Sequence, residues 1–168
     1  ACSFEVLQQD GAARRGRMTS GFGVVDTPAF MPVGTAASVK AMMPEQVAST
    51  GAQIILSNTY HLMLRPGPER VERLGGVRKL MGWDGPLLTD SGGFQVMSLG
   101  PLRNISEQGV SFKSHLDGSI FDLTPERSTQ IQHMLDATIT MAFDECTPFP
   151  ATYDEARASM ELSLIHIS

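Results

Sequence analysis

The sequence predicts a mixed α/β fold whose central strands run parallel. Short apolar segments of strand character recur along the chain, and a segment with helical features follows each of them. Two of these strand-like segments stop abruptly at an aspartate, Asp90 and Asp144. Four strand–helix units in succession require right-handed crossovers between parallel strands, as in doubly wound sheets and in (β/α)8 barrels. The residues alone leave both architectures open.

The composition predicts one ordinary globular unit. The chain has 168 residues, 42% of them hydrophobic, and a formal net charge of -5. This acidic balance gives no whole-chain signal for nucleic acid, although residues 61–80 carry five basic side chains against two acidic ones. The basic cluster predicts a solvated helix face, and a phosphate-facing patch is the alternative.

The cysteines and histidines show no metal-binding pattern. Cys2 and Cys146 lie far apart and form no Cys-x-x-Cys or Cys–His cluster, so neither a disulfide framework nor a metal site is expected. The four histidines lack ligand spacing, which favours solvated or hydrogen-bonded structural roles. The chain begins with no secretion signal and contains no run of about 18 apolar residues. We therefore expect a cytoplasmic protein without a membrane partner.

Residues 1–28 form the first region, and an antiparallel hairpin is predicted within it. Polar and apolar residues alternate from residue 3 onwards, and the alternation breaks at Asp10-Gly11 and at Ser20-Gly21. Residues 29–168 then hold the four strand–helix units. Their predicted strands are residues 29–33, 52–57, 86–89 and 138–143.

Helix signals follow the predicted strands. Pro44 occupies a position typical of the first residue of a helix, and residues 69–74 are helical up to the stop signal Gly75-Gly76. Thr124-Pro125 combines an N-cap residue with a proline at the first helical position, before an apolar stripe. The last predicted helix is amphipathic and covers residues 154–164.

Two stretches are predicted to be non-helical. Residues 58–61 are interpreted as the loop after the second strand. Between about residues 95 and 123 the apolar periodicity changes to two, and Asp117-Gly118 supplies a turn. This pattern predicts a β-hairpin inserted after the third strand.

Three polar residues follow successive strands, namely Asn58, Asp90 and Asp144. Because parallel strands of either architecture gather their carboxyl ends at one mouth, we expect these side chains to converge there. Asp90 is followed by Ser91-Gly92-Gly93, and glycines without a Cβ allow a planar ligand to approach the main chain. An aspartate that only caps the next turn is the alternative for both carboxylates.

Four segments resemble one enzyme family, in the same order and at similar spacings. They are residues 27–35, 51–67, 88–98 and 143–150. Together they resemble the bacterial tRNA-guanine transglycosylases (queuine tRNA-ribosyltransferases), over roughly residues 3–163. The resemblance implies the first half of a (β/α)8 TIM-type barrel. It also implies exchange of guanine for the 7-deazaguanine preQ1 at the wobble position of the tRNA anticodon, through a covalent ribosyl-enzyme intermediate.

The resemblance implies roles for the residues at the predicted mouth. Asp90 would be the general acid/base that handles the proton of the leaving or entering base, and Asp144 would read the base. A carboxylate can accept two parallel N–H bonds, which is the edge that guanine offers through N1–H and its amine. Phe94 would stack on the heterocycle. The other implied substrate-binding residues are Asn58, Ser91, Gly92, Gly93, Gln95 and Cys146.

Cys146 as a thiolate nucleophile is a rival interpretation, which we disfavour because no histidine lies nearby in sequence. The family's nucleophilic aspartate and its structural zinc site belong to the second half of the barrel and have no counterpart here. We therefore expect the isolated chain to be inactive and to contain no zinc ligands. The partners implied for the full-length family are the tRNA anticodon loop, guanine or preQ1, and a second copy of the chain. A non-catalytic base- or tRNA-binding subunit and an inactive truncated gene product are the alternatives.

Overall fold

The computed structural model describes residues 2–99, 103–106, 109–144, 147 and 149–165. In these ranges the chain has a mixed α/β fold with three sheets of three strands each. In chain order the elements are β1 (Ser3–Asp10), β2 (Ala13–Ser20), β3 (Gly23–Thr27), α1 (Pro44–Ser49), β4 (Ile55–Ser57), α2 (Thr59–Leu64), α3 (Pro68–Arg73), α4 (Gly76–Met81), β5 (Leu87–Thr89), α5 (Gly93–Leu99), β6 (Arg103–Ser106), β7 (Gly109–Lys113), β8 (Ile120–Leu123), α6 (Pro125–Met134), β9 (Ile139–Thr140) and α7 (Tyr153–Ile165).

The N-terminal sheet is antiparallel, in the order β1-β2-β3. Its strands reverse at the two predicted turns, so the expected hairpin region is present and has a third strand. Arg78 of α4 attaches this sheet to the helices, since its guanidinium lies 3.2 Å from the centroid of the Phe22 ring and forms an ion pair with Asp136. Arg78 therefore does not belong to the solvated helix face that was predicted for the basic cluster.

The central sheet is parallel, in the order β4-β5-β9, and an isolated parallel bridge joins Val33 to Leu56. The predicted first strand, residues 29–33, is reduced to that bridge. Pro28 and Pro32 have no N–H to donate to a ladder, which limits regular pairing of this segment. Phe30 is accordingly 82% exposed and does not pack in the core.

Two short helices replace a predicted loop and strand-like sequence, and a third, α4, lies where no element was predicted. Thr59–Leu64 forms α2 instead of a loop, and Gly93–Leu99 forms α5 where a periodicity of two was expected. Gly75 adopts the left-handed conformation with φ of 89°, as predicted for a helix stop, but Gly76 already begins α4. Helices of six or seven residues show fewer than two turns, so apolar periodicity cannot distinguish them from strands.

A third sheet, β6-β7-β8, is antiparallel and lies between α5 and α6 in sequence. Strands β7 and β8 flank the predicted turn, with Lys113 paired to Ile120. The inward residues Phe112 and Leu123 are almost fully buried and join the central hydrophobic core. This sheet therefore packs onto the same core as the parallel strands.

Helix α6 forms as predicted and supports the central sheet. Thr124 caps it, because its Oγ1 accepts a hydrogen bond from the Arg127 N–H at 3.1 Å. Ile131 and Leu135 are fully buried, and burial of side chains of this size contributes about 1.5–3 kcal/mol each. Helices α1 and α7 also form where they were predicted. Within the described ranges, no helix has both the length and the apolar composition of a membrane span.

Replacing Thr124 with alanine removes the N-cap acceptor of α6, so we expect the free energy of unfolding to fall by about 1 kcal/mol. Thr129→Ala in the same helix is the matched control, since the Thr129 hydroxyl donates only to the Pro125 carbonyl of its own first turn. Denaturant unfolding measures both variants. Equal free energies for Thr124→Ala and Thr129→Ala would contradict the capping role.

Candidate active site

The carboxyl ends of the parallel strands meet at one edge of the central sheet. Asn58 follows β4, Asp90 follows β5 and Asp144 comes shortly after β9. Asn58 Nδ2 donates a hydrogen bond to Asp90 Oδ2 at 2.6 Å. Ser91 Oγ donates to Asp144 Oδ1 at 3.2 Å. The three residues that were expected to converge therefore lie in one hydrogen-bonded region.

The Asp90 carboxylate is held by donors from two helix starts. Oδ2 accepts from Asn58 Nδ2 and from Gln95 Nε2, the latter at 2.9 Å, and Oδ1 accepts from the Thr59 N–H at 2.8 Å. The Thr59 hydroxyl also donates to the Asp90 carbonyl at 2.6 Å. Hydrogen bonds to an ionised acceptor are stronger than neutral ones. The half-buried Asp90 is therefore fixed in direction by α2 and α5.

Gln95 presents a second polar atom to the same region. Its Nε2 is engaged by Asp90, whereas its Oε1 is buried and has no hydrogen-bond partner among the described residues. A buried acceptor without a donor costs about 1–3 kcal/mol. A ligand N–H placed beside Gln95 would remove that cost.

Ser91 connects the two aspartates. It is only 5% exposed, and its Oγ accepts from the Gly93 N–H at 3.3 Å while donating to Asp144. The Ser91 carbonyl accepts from Ser128 Oγ of α6 at 2.7 Å. Asp144 itself is exposed, so its carboxylate faces solvent with one oxygen oriented by Ser91. This arrangement leaves Asp144 accessible to a ligand.

The two glycines after Ser91 pack against protein. A Cβ on Gly93 would lie 2.5 Å from the Asp144 carbonyl oxygen, and one on Gly92 would lie 3.5 Å from the Tyr60 backbone nitrogen. The sequence was interpreted as giving a ligand access to this main chain. The Cβ position of Gly93 is filled by the Asp144 backbone, so the missing side chain lets the ends of β5 and β9 approach closely. The approach of a ligand to this main chain stays a prediction.

Phe94 and Cys146 complete the set of predicted site residues. Phe94 lies in the first turn of α5, directly after the glycines, and is 61% exposed. Cys146 lies outside the described residues, as does Glu145. In the part of the chain that the structure describes, no cluster of three or more His, Cys, Asp or Glu side chains is arranged to hold a metal ion.

An aromatic cluster beside the site was not found from the sequence. Tyr60 is fully buried, its hydroxyl lies 3.1 Å from His115 Nδ1, and the two rings stack. His61 packs edge-on against Tyr60. Burial lowers the pKa of His61, the nearby His115 lowers it further, and Asp90 acts in the opposite direction. His115 comes from the turn region after β7, and nothing in the local sequence around Tyr60 indicates this contact.

Adding a methyl group at Gly93 tests the close approach of the two strand ends. Gly93→Ala places a Cβ against the Asp144 carbonyl, so the backbone must shift and the free energy of unfolding should fall by about 1–3 kcal/mol. Gly21→Ala is the control, because a Cβ there meets no atom within 4 Å and the backbone is not left-handed. Unfolding of Gly93→Ala at the same denaturant midpoint as Gly21→Ala would disprove the close approach.

Comparison with known proteins identifies the family. The family described as queuine tRNA-ribosyltransferase matches residues 9–167. The queuine tRNA-ribosyltransferase of Rickettsia felis is 63% identical over 161 residues, which are 96% of this chain and 45% of the relative. Those of Rickettsia bellii strain RML369-C and of Zymomonas mobilis are each 62% identical over 96% of this chain, and 45% and 42% of their own lengths are covered. The chain thus spans less than half the length of these relatives, and it belongs to the queuine tRNA-ribosyltransferase family.

Proposed function

We propose that the candidate active-site residues at the carboxyl edge of the central sheet form the base-recognition and acid/base part of a tRNA-guanine transglycosylase. The reaction exchanges guanine at the anticodon wobble position of tRNA for preQ1. The observation that carries this proposal is the hydrogen-bonded arrangement at the sheet edge, where Ser91 orients the exposed Asp144 beside a fixed Asp90. Family membership and the names of the relatives support the reaction.

The proposed architecture is the first half of a (β/α)8 barrel. The bridge at Val33 and strands β4, β5 and β9 are parallel neighbours in chain order, which is the order that a barrel requires. In this proposal residues 1–28 are an N-terminal β region and residues 29–168 contain the first four strand–helix units. The sheet formed by β6, β7 and β8 is then an insertion after the third barrel strand.

Base recognition is assigned to Asp144, Gln95 and Phe94. The Asp144 carboxylate would accept the N1–H and amine hydrogens of guanine or preQ1. The buried Gln95 Oε1 would accept a further N–H from the ligand, and the exposed Phe94 ring would stack on the base. Cys146 is proposed to line the same pocket.

Proton transfer is assigned to Asp90. Its Oδ2 already accepts two hydrogen bonds, so Oδ1 is the oxygen that would take or give the proton of the base. When the bond between ribose C1′ and the guanine nitrogen breaks, the departing nitrogen needs a proton, and the entering base loses one when the new bond forms. The nucleophile that holds the ribose between these steps is an aspartate of the full-length family, and no residue named here is assigned to that role.

The zinc site, the homodimer and the location belong to the same proposal. The described residues include no side-chain cluster that fits the structural zinc of the family, so we assign zinc to the portion of the relatives that this chain does not match. A homodimer is proposed because the family resemblance implies one. Location in the cytoplasm is proposed because the proposed role in tRNA processing implies it. None of these features takes part in the proton or base steps above.

Asp144→Asn tests base recognition in a protein of the relatives' full length that contains this sequence, here called the full-length enzyme. The substitution aims an amide donor at a ligand N–H, so guanine should bind more weakly by about 2 kcal/mol, roughly 30-fold. Calorimetry with guanine and incorporation of labelled guanine into tRNA measure the loss. Asp84→Asn is the control, an exposed aspartate in the loop before β5. Unchanged guanine binding by Asp144→Asn would refute the assignment.

Phe94→Tyr and Phe94→Ala separate stacking from packing. Tyrosine keeps an aromatic face, so guanine affinity should be nearly unchanged, whereas alanine should weaken binding by about 1–3 kcal/mol. Because Phe94 is 61% exposed, neither substitution opens a cavity in the core. Equal losses in the two variants would show that the ring does not stack on the base.

A further inference from the structure

A fully buried amide lies beneath the candidate site. Gln132 of α6 has no exposed surface. Its Oε1 accepts hydrogen bonds from Thr89 Oγ1 at 2.9 Å and from the Met141 N–H at 2.8 Å. Its Nε2 donates to the Met141 carbonyl at 2.9 Å and to Ser128 Oγ at 3.3 Å. These four bonds use all the hydrogen-bonding capacity of the amide.

The Gln132 amide forms the hydrogen bonds with the Met141 backbone that a neighbouring strand would otherwise form. The ladder between β5 and β9 ends at the pair Thr89 and Thr140. Beyond it, the N–H and the carbonyl of Met141 are both bound by one side-chain amide, where a neighbouring strand would otherwise satisfy them. Gln132 therefore directs the chain between the last paired residue of β9 and Asp144.

The same amide also holds the other side of the site. Thr89, which donates to Gln132, immediately precedes Asp90. Ser128, which accepts from Gln132, donates to the Ser91 carbonyl at 2.7 Å. Ser91 in turn donates to Asp144. A continuous hydrogen-bond network thus joins α6 to the ends of β5 and β9.

We propose that Gln132 is a positioning residue that sets the placement of Asp144 relative to Asp90 and Ser91. It lies below the sheet edge and does not touch the base. This role rests on the proposed function, because the two carboxylates must match one base and one ribose simultaneously. Misplacement of a reacting group by about 1 Å can cost as much as 100-fold in rate.

The test uses Gln132→Met and Thr89→Val in the full-length enzyme. Methionine keeps the approximate volume of glutamine but loses all four hydrogen bonds, and valine removes only the hydroxyl that donates to Gln132. Gln130→Met is the matched control, since Gln130 is exposed on the same helix and its Oε1 accepts only from Arg127. Circular dichroism at the assay temperature identifies the folded variants, and the Kd for guanine, KM and kcat are then measured on those.

We expect kcat to fall about tenfold or more in Gln132→Met and the Kd for guanine to rise, with smaller changes in the same directions in Thr89→Val. Gln130→Met should stay within about twofold of the unsubstituted enzyme. If Gln132→Met does not fold, the Kd, KM and kcat of Thr89→Val decide whether the positioning role holds. Folded variants with unchanged Kd, KM and kcat would overturn the positioning role while the unsubstituted enzyme still binds guanine. An unsubstituted enzyme that binds no guanine would overturn the proposed function, and the role of Gln132 with it.

Discussion

The parallel pairing of β5 between β4 and β9 is the constraint on which the site depends. Leu88 pairs with Leu56 on one side and with Ile139 on the other, which fixes the strand ends at one edge. Leu87 and Thr89 are fully buried whereas Leu88 and Asp90 are partly exposed, so a shift of the strand by one residue could place the Asp90 carboxylate in the buried position of Thr89. The positions of Asn58 and Asp90 follow from this register, and it also fixes the start of the segment that leads from β9 to Asp144.

Polar contacts near the sheet edge turn that register into a defined geometry. Thr59 of α2 and Gln95 of α5 both donate to Asp90, so the first turns of the two helices supply donors to the same carboxylate. Ser91 engages Asp144 and α6 together. Satisfied buried polar groups specify a single arrangement, because any alternative leaves one of them without a partner. The proposed acid/base and base-reading carboxylates are thus held by separate sets of donors.

The parts of this structure that the sequence predicted have strong local signals. The apolar run before Asp90 ends where β5 ends, and Thr124-Pro125 begins α6 through a side-chain cap and a proline at the first helical position. Residues 29–33 are apolar but form only a bridge, because Pro32 and the preceding Pro28 have no N–H to donate to a ladder. The convergence of strand ends was predictable because it follows from parallel topology alone.

The contacts that refine the site have no local signal. Tyr60 meets His115 across 55 positions of sequence, and Thr89 meets Gln132 across 43. Gln132 is an ordinary helix-forming residue, and nothing in the sequence around it indicates burial, so only the fold shows that it is buried. A crystal structure of the full-length enzyme with guanine tests the central claim most directly. We predict that guanine stacks on Phe94 with its N1–H and amine edge on the Asp144 carboxylate, and guanine bound without contact to Asp144 would contradict this assignment.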